Sequence, residues 1–574
     1  MGNVSRRNFL RGTGGAIAGA AVAGFTLAGC AAEQPLAQTQ GQESWLPESW
    51  DYETDIVIVG MGAAGLSAAI TALDEGQGEV LVLEAAPEEH SGGNTRVSMN
   101  LIMIPKDVDQ AIEYQNNLND YCKVEDGLMR SWAENICENK DWMEGFGMNL
   151  VAMQAYSPEF PDVAGSECAQ TYCIDGVAGN ASGWLALKEE ADYLGAEYLY
   201  SHRAQSLVRN PLTNEALGVI ADHEGSSVAI KARKGVIMAC GGFENNLEMM
   251  REYLNVGSEK RPYGTPYNRG DGFAMVAPFG AKLWHMNNAS GTVINGYVQG
   301  IGDDELTNNI TGTMTLGVGS LPIHTYMFVG RDGKRFMYEE KLQLAQHGKV
   351  PSGGMFVDMP TPVGAYAIFD STVFDNVPIF VNAERGATAG WAVIMDSFLG
   401  DGSNQAYLDA GVIVKADTID ELAALIPVDT AGLVETVNSY NQLAMAGEKD
   451  PEFGRGTTVF ETHVGFGDSA GESEGGQAEA VAEFDLQPLA RGPFYAMPIA
   501  GSIVNTQGGP KRDASGQLVD WNDESIGRLF GAGEFGTIFG YCYNGGGNVS
   551  EAISSGRLAA RSAGALASWD EKSS

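Results

Sequence analysis

The chain has few cations and few cysteines, and both shortages exclude classes of function. Only 35 of its 574 residues are Lys or Arg, against 74 Asp or Glu, so the formal net charge is −39. A chain this acidic is a poor partner for nucleic acid or anionic lipid. Its seven cysteines show no haem-attachment spacing, and with its seven histidines they form no zinc-like cluster. The sequence therefore predicts no metal site and no nucleic-acid partner.

Long apolar runs are also missing, even near the amino terminus. Ser5–Leu10 contains the pair Arg6-Arg7, and a mildly apolar Gly/Ala-rich stretch then leads to Cys30. The stretch is short of the ~20 residues that a membrane span needs. We interpret residues 1–30 as a twin-arginine export signal with a lipobox, and residues 31–51 as a linker. The predicted location is the outer face of the cell membrane, through a lipid on Cys30, or the periplasm.

Glycine, by contrast, is abundant, and its spacing marks a dinucleotide-binding βαβ unit. The apolar run 56–59 leads into Gly60, Gly62 and Gly65, and a second apolar run ends at Glu84. Gly60 permits a tight turn, Gly62 lets backbone approach a pyrophosphate, and Gly65 lets a helix pack on the sheet. Glu84 stands where a carboxylate can accept hydrogen bonds from ribose hydroxyls. The predicted contacts also include the neighbouring residues Ala63, Ala64 and Ala85.

Further glycine-rich segments lie far apart in the chain. They are a loop of small residues at 91–96, an apolar strand ending in Gly241-Gly242, a second such strand ending at Glu534, and a helix start at 545–548. A nicotinamide cofactor needs one such region, whereas FAD is long and is gripped by pieces from both ends of a chain. With the motifs at 266–272, 331–336 and 415–418, these segments resemble the flavoprotein family of soluble fumarate reductases, urocanate reductases, L-aspartate oxidases and 3-ketosteroid dehydrogenases.

The resemblance runs from Thr54 to Leu566 and implies FAD as the cofactor. It also implies an α/β fold, in which a Rossmann-like FAD-binding domain (52–290 and 494–574) carries an inserted α+β capping domain (291–493). Substrate is expected at the interface, where closure excludes water. The further cofactor contacts that it implies are Gly92, Gly93, Asn94, Thr95, Gly241, Gly242, Asp271, Gly533, Glu534, Gly547, Asn548 and Val549.

The helix that begins near Asn548 has a physical role of its own. Its free N–H groups and positive dipole end favour negative charge in front of them. In the family the pyrimidine side of the flavin lies there, and this side becomes anionic on two-electron reduction. By the same resemblance, Glu534 bonds the ribityl chain.

The substrate site lacks the cations that the family uses for dicarboxylates. Asn544 stands at the position of a clamping arginine, Asn505 at that of a histidine, and Phe374 at that of the proton-donating arginine. A buried carboxylate without a cationic partner costs several kcal/mol. We therefore expect a neutral, aromatic or at most singly charged substrate.

Proton transfer then needs another donor. Tyr543 resembles the tyrosine that precedes the glycine-rich helix start in ketosteroid dehydrogenases, and a phenol can polarise an enone oxygen or deliver a proton. Tyr541 is expected mainly to pack. Tyr338 and Glu339 are the other candidate catalytic residues, and His324 and His347 are less favoured candidates. Arg335 is expected to form a structural ion pair.

Three functions remain open on the sequence alone. The first is reduction of an activated C=C bond in an enone or enoate, with electrons from a c-type cytochrome or a quinol-oxidising membrane protein. The second is the reverse reaction, a 3-ketosteroid-type dehydrogenation. The third is a flavolipoprotein that binds a ligand or shuttles electrons without turnover.

Overall fold

The computed structural model describes residues 45–153, 156–254, 261–291, 293–296, 313–314, 324–339, 349–352, 355–358, 362–381, 389–394, 400–456 and 485–570. The predicted export signal, including Cys30, and most of the predicted linker lie outside these ranges. Within them, no helix is both long enough and apolar enough to cross a membrane.

The described helices and strands are numbered separately in chain order. The strands are β1 Tyr52–Val59, β2 Val80–Leu83, β3 Ile102–Met103, β4 Leu150–Met153, β5 Thr171–Ile174, β6 Glu197–Leu199, β7 Arg203–Arg209, β8 Ala216–His223, β9 Ser226–Met238, β10 Arg261–Pro262, β11 Leu283–Trp284, β12 Ala289–Ser290, β13 Val293–Gly296, β14 Thr313–Met314, β15 Tyr326–Val329, β16 Lys349–Ser352, β17 Met355–Asp358, β18 Ala365–Asp370, β19 Phe380–Val381, β20 Val414–Ala416, β21 Phe494–Ile503, β22 Asn505–Thr506, β23 Gly509–Pro510, β24 Gln517–Val519 and β25 Ser525–Gly531. The helices are α1 Ala63–Asp74, α2 Gly93–Arg96, α3 Val108–Asn119, α4 Asp126–Cys137, α5 Asn139–Gly145, α6 Ser182–Tyr193, α7 Leu247–Leu254, α8 Asp271–Val276, α9 Ser371–Asn376, α10 Asn404–Asp409, α11 Ile419–Leu425, α12 Thr430–Ala446 and α13 Gly547–Gly564.

An eight-stranded sheet forms the centre of the FAD-binding part. Its main path runs β24-β25-β9-β1-β2-β6, and β8 and β7 extend it from β9. The pairs β25–β9, β9–β1, β1–β2 and β2–β6 are parallel. Ile56, Val57 and Ile58 are fully buried, as expected for a parallel strand covered on both faces. The predicted Rossmann-like α/β architecture is therefore confirmed.

Two helices from opposite ends of the chain pack together on this sheet. Small residues permit the close approach, because a Cβ on Gly556 of α13 would overlap the carbonyl of Ala64 in α1. A Cβ on Gly65 would overlap the carbonyl of Gly60, so α1 also lies close to the turn after β1. Ala559, Ala560 and Ala563 of α13 lie in the same apolar cluster as the buried alanines of α1. This packing places Gly556, in the middle of α13, against the first turn of α1.

A second sheet of six strands follows the order β10-β21-β18-β15, with β13 and β20 also paired to β21. Apolar side chains of β15, β18 and β21 pack against α11 and α12 on one side and against α9 and α10 on the other. The long strand β21 begins at the predicted boundary 493/494 and pairs with strands on both sides of the predicted boundary 290/291. The domain limits themselves stay a prediction.

Candidate active site

The turn between β1 and α1 is shaped to receive a phosphate group. Gly60 has φ +108°, and a Cβ there would overlap the carbonyl of Ala239. Gly62 precedes α1 without a side-chain cap, and the amide of Ala63 donates to Thr95 Oγ1 at 2.9 Å. The predicted Gly62 and Thr95 thus lie together at a helix N-terminus, the usual place for an anion.

Glu84 lies buried at the end of β2, beside the same turn. Its carboxylate accepts hydrogen bonds from the amides of Met61, at 3.2 Å, and Ala86, at 2.9 Å. Burial raises the pKa of Glu84 more than these backbone donors lower it. Ala85 is the adjacent residue on the loop.

Four polar side chains from four of the predicted segments form one network. Asn94 Nδ2 donates to Glu244 Oε1 at 2.8 Å and to Glu534 Oε2 at 3.1 Å. Asn268 Nδ2 donates to the same two carboxylates, at 2.9 and 3.2 Å. Burial raises the pKa of Glu244 to about 7, and burial together with the charge of Glu244 raises that of Glu534 well above its usual value. The asparagine amides thus bridge two carboxyl groups.

The backbone around this network depends on the predicted glycines. Gly241 has φ +74°, and a Cβ there would lie 2.5 Å from Asn268 Oδ1. A Cβ on Gly242 would overlap Thr506 Oγ1. Gly533 has φ +64°, and its amide donates to Ser555 Oγ of α13 at 2.9 Å.

The start of α13 carries no side-chain cap and follows Gly546 at φ +82°. Asn548 Nδ2 donates to Asn505 Oδ1 at 3.0 Å, and the buried Asn548 Oδ1 has no hydrogen-bond partner among the described residues. An uncapped helix start with an unused amide oxygen fits a bound group that offers both an acceptor and a donor, as the pyrimidine edge of a flavin does. Gly547 and Val549 lie in the same turn. The site therefore fits FAD.

Tyr543 points into a buried polar position just before this helix. Its hydroxyl lies 2.7 Å from Ser290 Oγ, its ring stacks on Phe539 at 4.9 Å between centroids, and it is 5% exposed. A Cβ on Gly547 would lie 3.1 Å from the ring, so the phenol packs against the helix start. Burial raises the pKa of Tyr543, which keeps the phenol protonated.

Tyr541 has a different setting. It is half-buried, and its ring centroid lies 6.2 Å from that of Tyr121, whose side chain is 64% exposed. The ring packs at the edge of the apolar cluster formed by α3, α4 and the segment 538–543. This position agrees with the packing role expected for it.

The three residues that stand in place of family cations are themselves uncharged, and a buried carboxylate, that of Glu159, lies beside Asn544 and accepts from the amide of Gly545 at 2.6 Å. Asn544 is fully buried, and its Oδ1 accepts from Tyr114 Oη and from the amide of Glu159, both at 2.9 Å. Asn505 Oδ1 accepts from Asn548. Phe374 stacks on Tyr495 at 4.1 Å in the second sheet.

Glu339 is held inside the second sheet's core by arginines. It accepts from Arg335 Nε at 2.7 Å and Nη2 at 2.6 Å, and Arg455 Nη1 lies 3.8 Å away. Arg335 also bonds Asp450 at 2.8 Å, which confirms its expected ion-pair role. Tyr338 is buried beside this cluster. No recorded contact links Tyr338 or Glu339 to Tyr543 within the described ranges, and their catalytic role stays a prediction.

The remaining predicted residues are Asp271, Gly92, Gly93, His324 and His347. Asp271 begins α8 and forms an ion pair with Arg203 on β7. Gly92 and Gly93 form the left-handed start of α2, where the ring of Trp184 covers Gly92. The carbonyl of His324 accepts from Arg455 Nη2 at 3.1 Å, and His347 lies outside the described residues. Among those described, no group of three His, Cys, Asp or Glu side chains could hold a metal ion.

Sequence reasoning missed three members of the site, of which Asn268 lies within the motif at 266–272 but was not predicted as a contact. Glu244 follows the double glycine and was visible as part of that motif, but its pairing with Glu534 depends on how two distant strands meet. Ser290 carried no local signal at all, since a single serine in an irregular segment matches no motif.

Comparisons with known proteins agree with this geometry. A family model described as an FAD binding domain matches residues 55–550. The chain is 25% identical to digoxin reductase from Eggerthella lenta, over 99% of this chain and 98% of the relative. Its fold is similar to 3-ketosteroid Δ1-dehydrogenase from Sterolibacterium denitrificans in complex with 1,4-androstadiene-3,17-dione, with TM-score 0.68, 21% identity and coverage of 89% and 99% of the two chains.

A flavocytochrome c3 fumarate reductase in its open conformation gives TM-score 0.61 at 21% identity, over 92% of this chain and 84% of that one. The predictions of FAD and of enzymatic function are thereby confirmed. The chain belongs to the FAD-binding family identified by that model and is an FAD-dependent oxidoreductase.

Proposed function

We propose that the protein reduces an activated C=C bond in a neutral or singly charged enone or enoate. The observation that carries this proposal is the set of uncharged hydroxyl and amide side chains near the start of α13. Ser290, Tyr543, Asn505 and Asn548 offer hydroxyl and amide groups, and the recorded hydrogen bonds that join them involve no charged side chain. Such groups can bind a carbonyl oxygen without the cations that a dicarboxylate requires.

Bound FAD would supply the hydride, and the chain's own residues would supply binding, polarisation and the proton. The Tyr543 hydroxyl can donate to the substrate's carbonyl oxygen or protonate its α-carbon, because the buried phenol stays protonated across the physiological range. The uncapped start of α13 would favour negative charge on the cofactor. Together these residues favour hydride transfer to an electron-poor alkene.

Similarity to a relative named digoxin reductase over nearly the whole of both chains supports the reductive direction. The reverse direction, dehydrogenation of a 3-ketosteroid-like molecule, is the second candidate. Tyr543 favours it equally, since a phenol that stabilises an enolate does so in both directions of one reaction. The electron partner available to the enzyme would then decide the direction. A flavolipoprotein without turnover is the least favoured reading, because the site combines a cofactor cradle with a buried proton donor.

We propose export by the twin-arginine route and anchoring through an acylated Cys30. This rests on Arg6, Arg7 and the small residues that precede the cysteine. An enzyme held there would receive electrons from a c-type cytochrome or a quinol-oxidising membrane protein, as in anaerobic respiration. The chain's net charge of −39 supports a cationic donor.

Turnover with reduced viologen across enones, enoates, fumarate and ketosteroids tests the substrate class. We expect enone reduction and little reduction of fumarate, because Asn505, Asn544 and Phe374 stand where the family's cations for a dicarboxylate would lie. Robust fumarate reduction at micromolar substrate would refute the neutral-site reasoning.

A matched pair of tyrosine variants tests the proton donor. Tyr543→Phe should lower kcat by ~10²- to 10⁴-fold, the usual value of general acid catalysis, while FAD stays bound. Tyr541→Phe should cost far less. If substrate reoxidised the reduced Tyr543→Phe variant at the wild-type rate, Tyr543 would not be the proton donor. Tyr338 and Glu339 would then be the next residues to test.

A further inference from the structure

Ser290 lies next to the Tyr543 hydroxyl in the folded protein, although 253 residues separate the two in sequence. The serine is 1% exposed and ends the two-residue strand β12. Its Oγ lies 2.7 Å from Tyr543 Oη, within the range of a strong hydroxyl–hydroxyl hydrogen bond. The contact is therefore short, buried and formed between the candidate proton donor and a residue with no assigned role.

The backbone around Ser290 is fixed from two directions. Strand β12 pairs with β22, with Ser290 opposite Asn505, and the Ser290 carbonyl accepts from the amide of Val504 at 3.0 Å. Two residues earlier, Asn288 Nδ2 donates to the carbonyl of Phe539 at 2.9 Å. Since Phe539 also stacks on Tyr543, both partners of the hydroxyl pair are held by the same segment.

The direction of the hydrogen bond between the two hydroxyls decides whether Tyr543 can donate its proton to substrate. A phenol has one O–H to donate, and so has a serine hydroxyl, which also has two lone pairs to accept with. If Tyr543 donates to Ser290, its proton is directed away from the substrate. If Ser290 donates to Tyr543 Oη, the phenol proton is directed to an acceptor other than Ser290, such as a substrate oxygen, and the acidity of the phenol rises through the bond that it accepts.

We propose that Ser290 is a positioning residue that donates its hydroxyl proton to Tyr543 Oη and thereby directs the phenol proton at the substrate carbonyl. The inference rests on the proposed function, in which Tyr543 contacts substrate. It goes beyond that function in assigning the orientation of the acid to a second residue. Ser290 itself need not touch substrate.

Removal of the Ser290 hydroxyl should slow chemistry without removing FAD. Ser290→Ala should lower kcat about tenfold, the loss expected for one hydrogen bond to the reacting group, with little change in KM. Ser290→Thr keeps the hydroxyl and should recover most of the rate. Ser502→Ala is the matched control, because Ser502 is also fully buried in a strand but its Oγ has no hydrogen-bond partner among the described residues.

A double-mutant cycle separates positioning from general loss of packing. In the Tyr543→Phe background, Ser290→Ala should cause no further loss, since there is no phenol left to orient. A further tenfold loss there would show that Ser290 acts independently of Tyr543 and would overturn the proposal.

A spectroscopic measurement does not depend on turnover. A conjugated enone bound to the oxidised enzyme should show a red-shifted absorption band when Tyr543 polarises its oxygen. We expect the shift to vanish in Tyr543→Phe, to shrink in Ser290→Ala and to persist in Ser502→Ala.

The two proposals fail in different ways. If Tyr543→Phe retains full activity and the full shift, the proposed role of Tyr543 fails. If Tyr543→Phe is impaired while Ser290→Ala matches wild type in both rate and shift, only the assignment of Ser290 is overturned.

Discussion

Replacement of Glu244 by glutamine should change how the stability of the protein depends on pH. Glu244 is fully buried and receives hydrogen bonds from Asn94 and Asn268, both of which also donate to Glu534. Burial raises the pKa of Glu244 from 4.5 to about 7. The folded protein therefore holds a proton on this pair at a pH where the unfolded chain has lost it.

The sign and size of the effect follow from that difference. A carboxyl with a raised pKa contributes stability that is fully present below pH 4.5 and is lost as the pH rises through about 7. At 1.36 kcal/mol for each pH unit, the interval from 4.5 to about 7 corresponds to about 3 kcal/mol lost between pH 4.5 and pH 8.

Denaturant unfolding at pH 5 and pH 8 measures the effect. The free energy of unfolding of the wild type should fall by about 2 to 3 kcal/mol more than that of Glu244→Gln over this interval. Glu125→Gln is the control, because Glu125 is an exposed carboxylate whose pKa is lowered by its hydrogen bond to Lys511. Equal pH dependence in wild type and Glu244→Gln would refute the shared-proton reasoning.

Three further predictions concern other parts of the chain. Gly65→Ala should abolish FAD binding and destabilise the protein, since its Cβ would overlap the Gly60 carbonyl; a yellow, stable variant would contradict this. Glu339→Gln should lower the free energy of unfolding by about 3–5 kcal/mol, because it removes one of the two buried carboxylates that Arg335 pairs with; a stable but slow enzyme would instead point to a catalytic role. Cys30→Ala should release the exported protein from membranes. The double variant Arg6→Lys with Arg7→Lys should retain flavin-loaded precursor in the cytoplasm. Retention of the Cys30→Ala protein on membranes after high-salt washing would count against the lipid anchor.

The sequence was sufficient for the cofactor and for the architecture that holds it. Gly60, Gly62 and Gly65 encode a tight turn and a close helix contact within a few residues of each other. Such local constraints can be recognised from the sequence alone. The same holds for the neutral residues Asn505 and Asn544, whose lack of charge could be seen directly and which bond to uncharged donors in the structure.

Only the tertiary structure decided which side chains meet across the chain. The carboxyl groups of Glu244 and Glu534 share their amide donors because β9 and β25 are neighbours, and Ser290 reaches Tyr543 because β12 pairs with β22. Glu339, a candidate acid on sequence grounds, pairs with the nearby Arg335 and also lies close to Arg455, which folding brings from a segment far along the chain. Motif spacing fixes backbone turns, whereas the pKa and partners of a side chain depend on burial and on neighbours that only folding brings together.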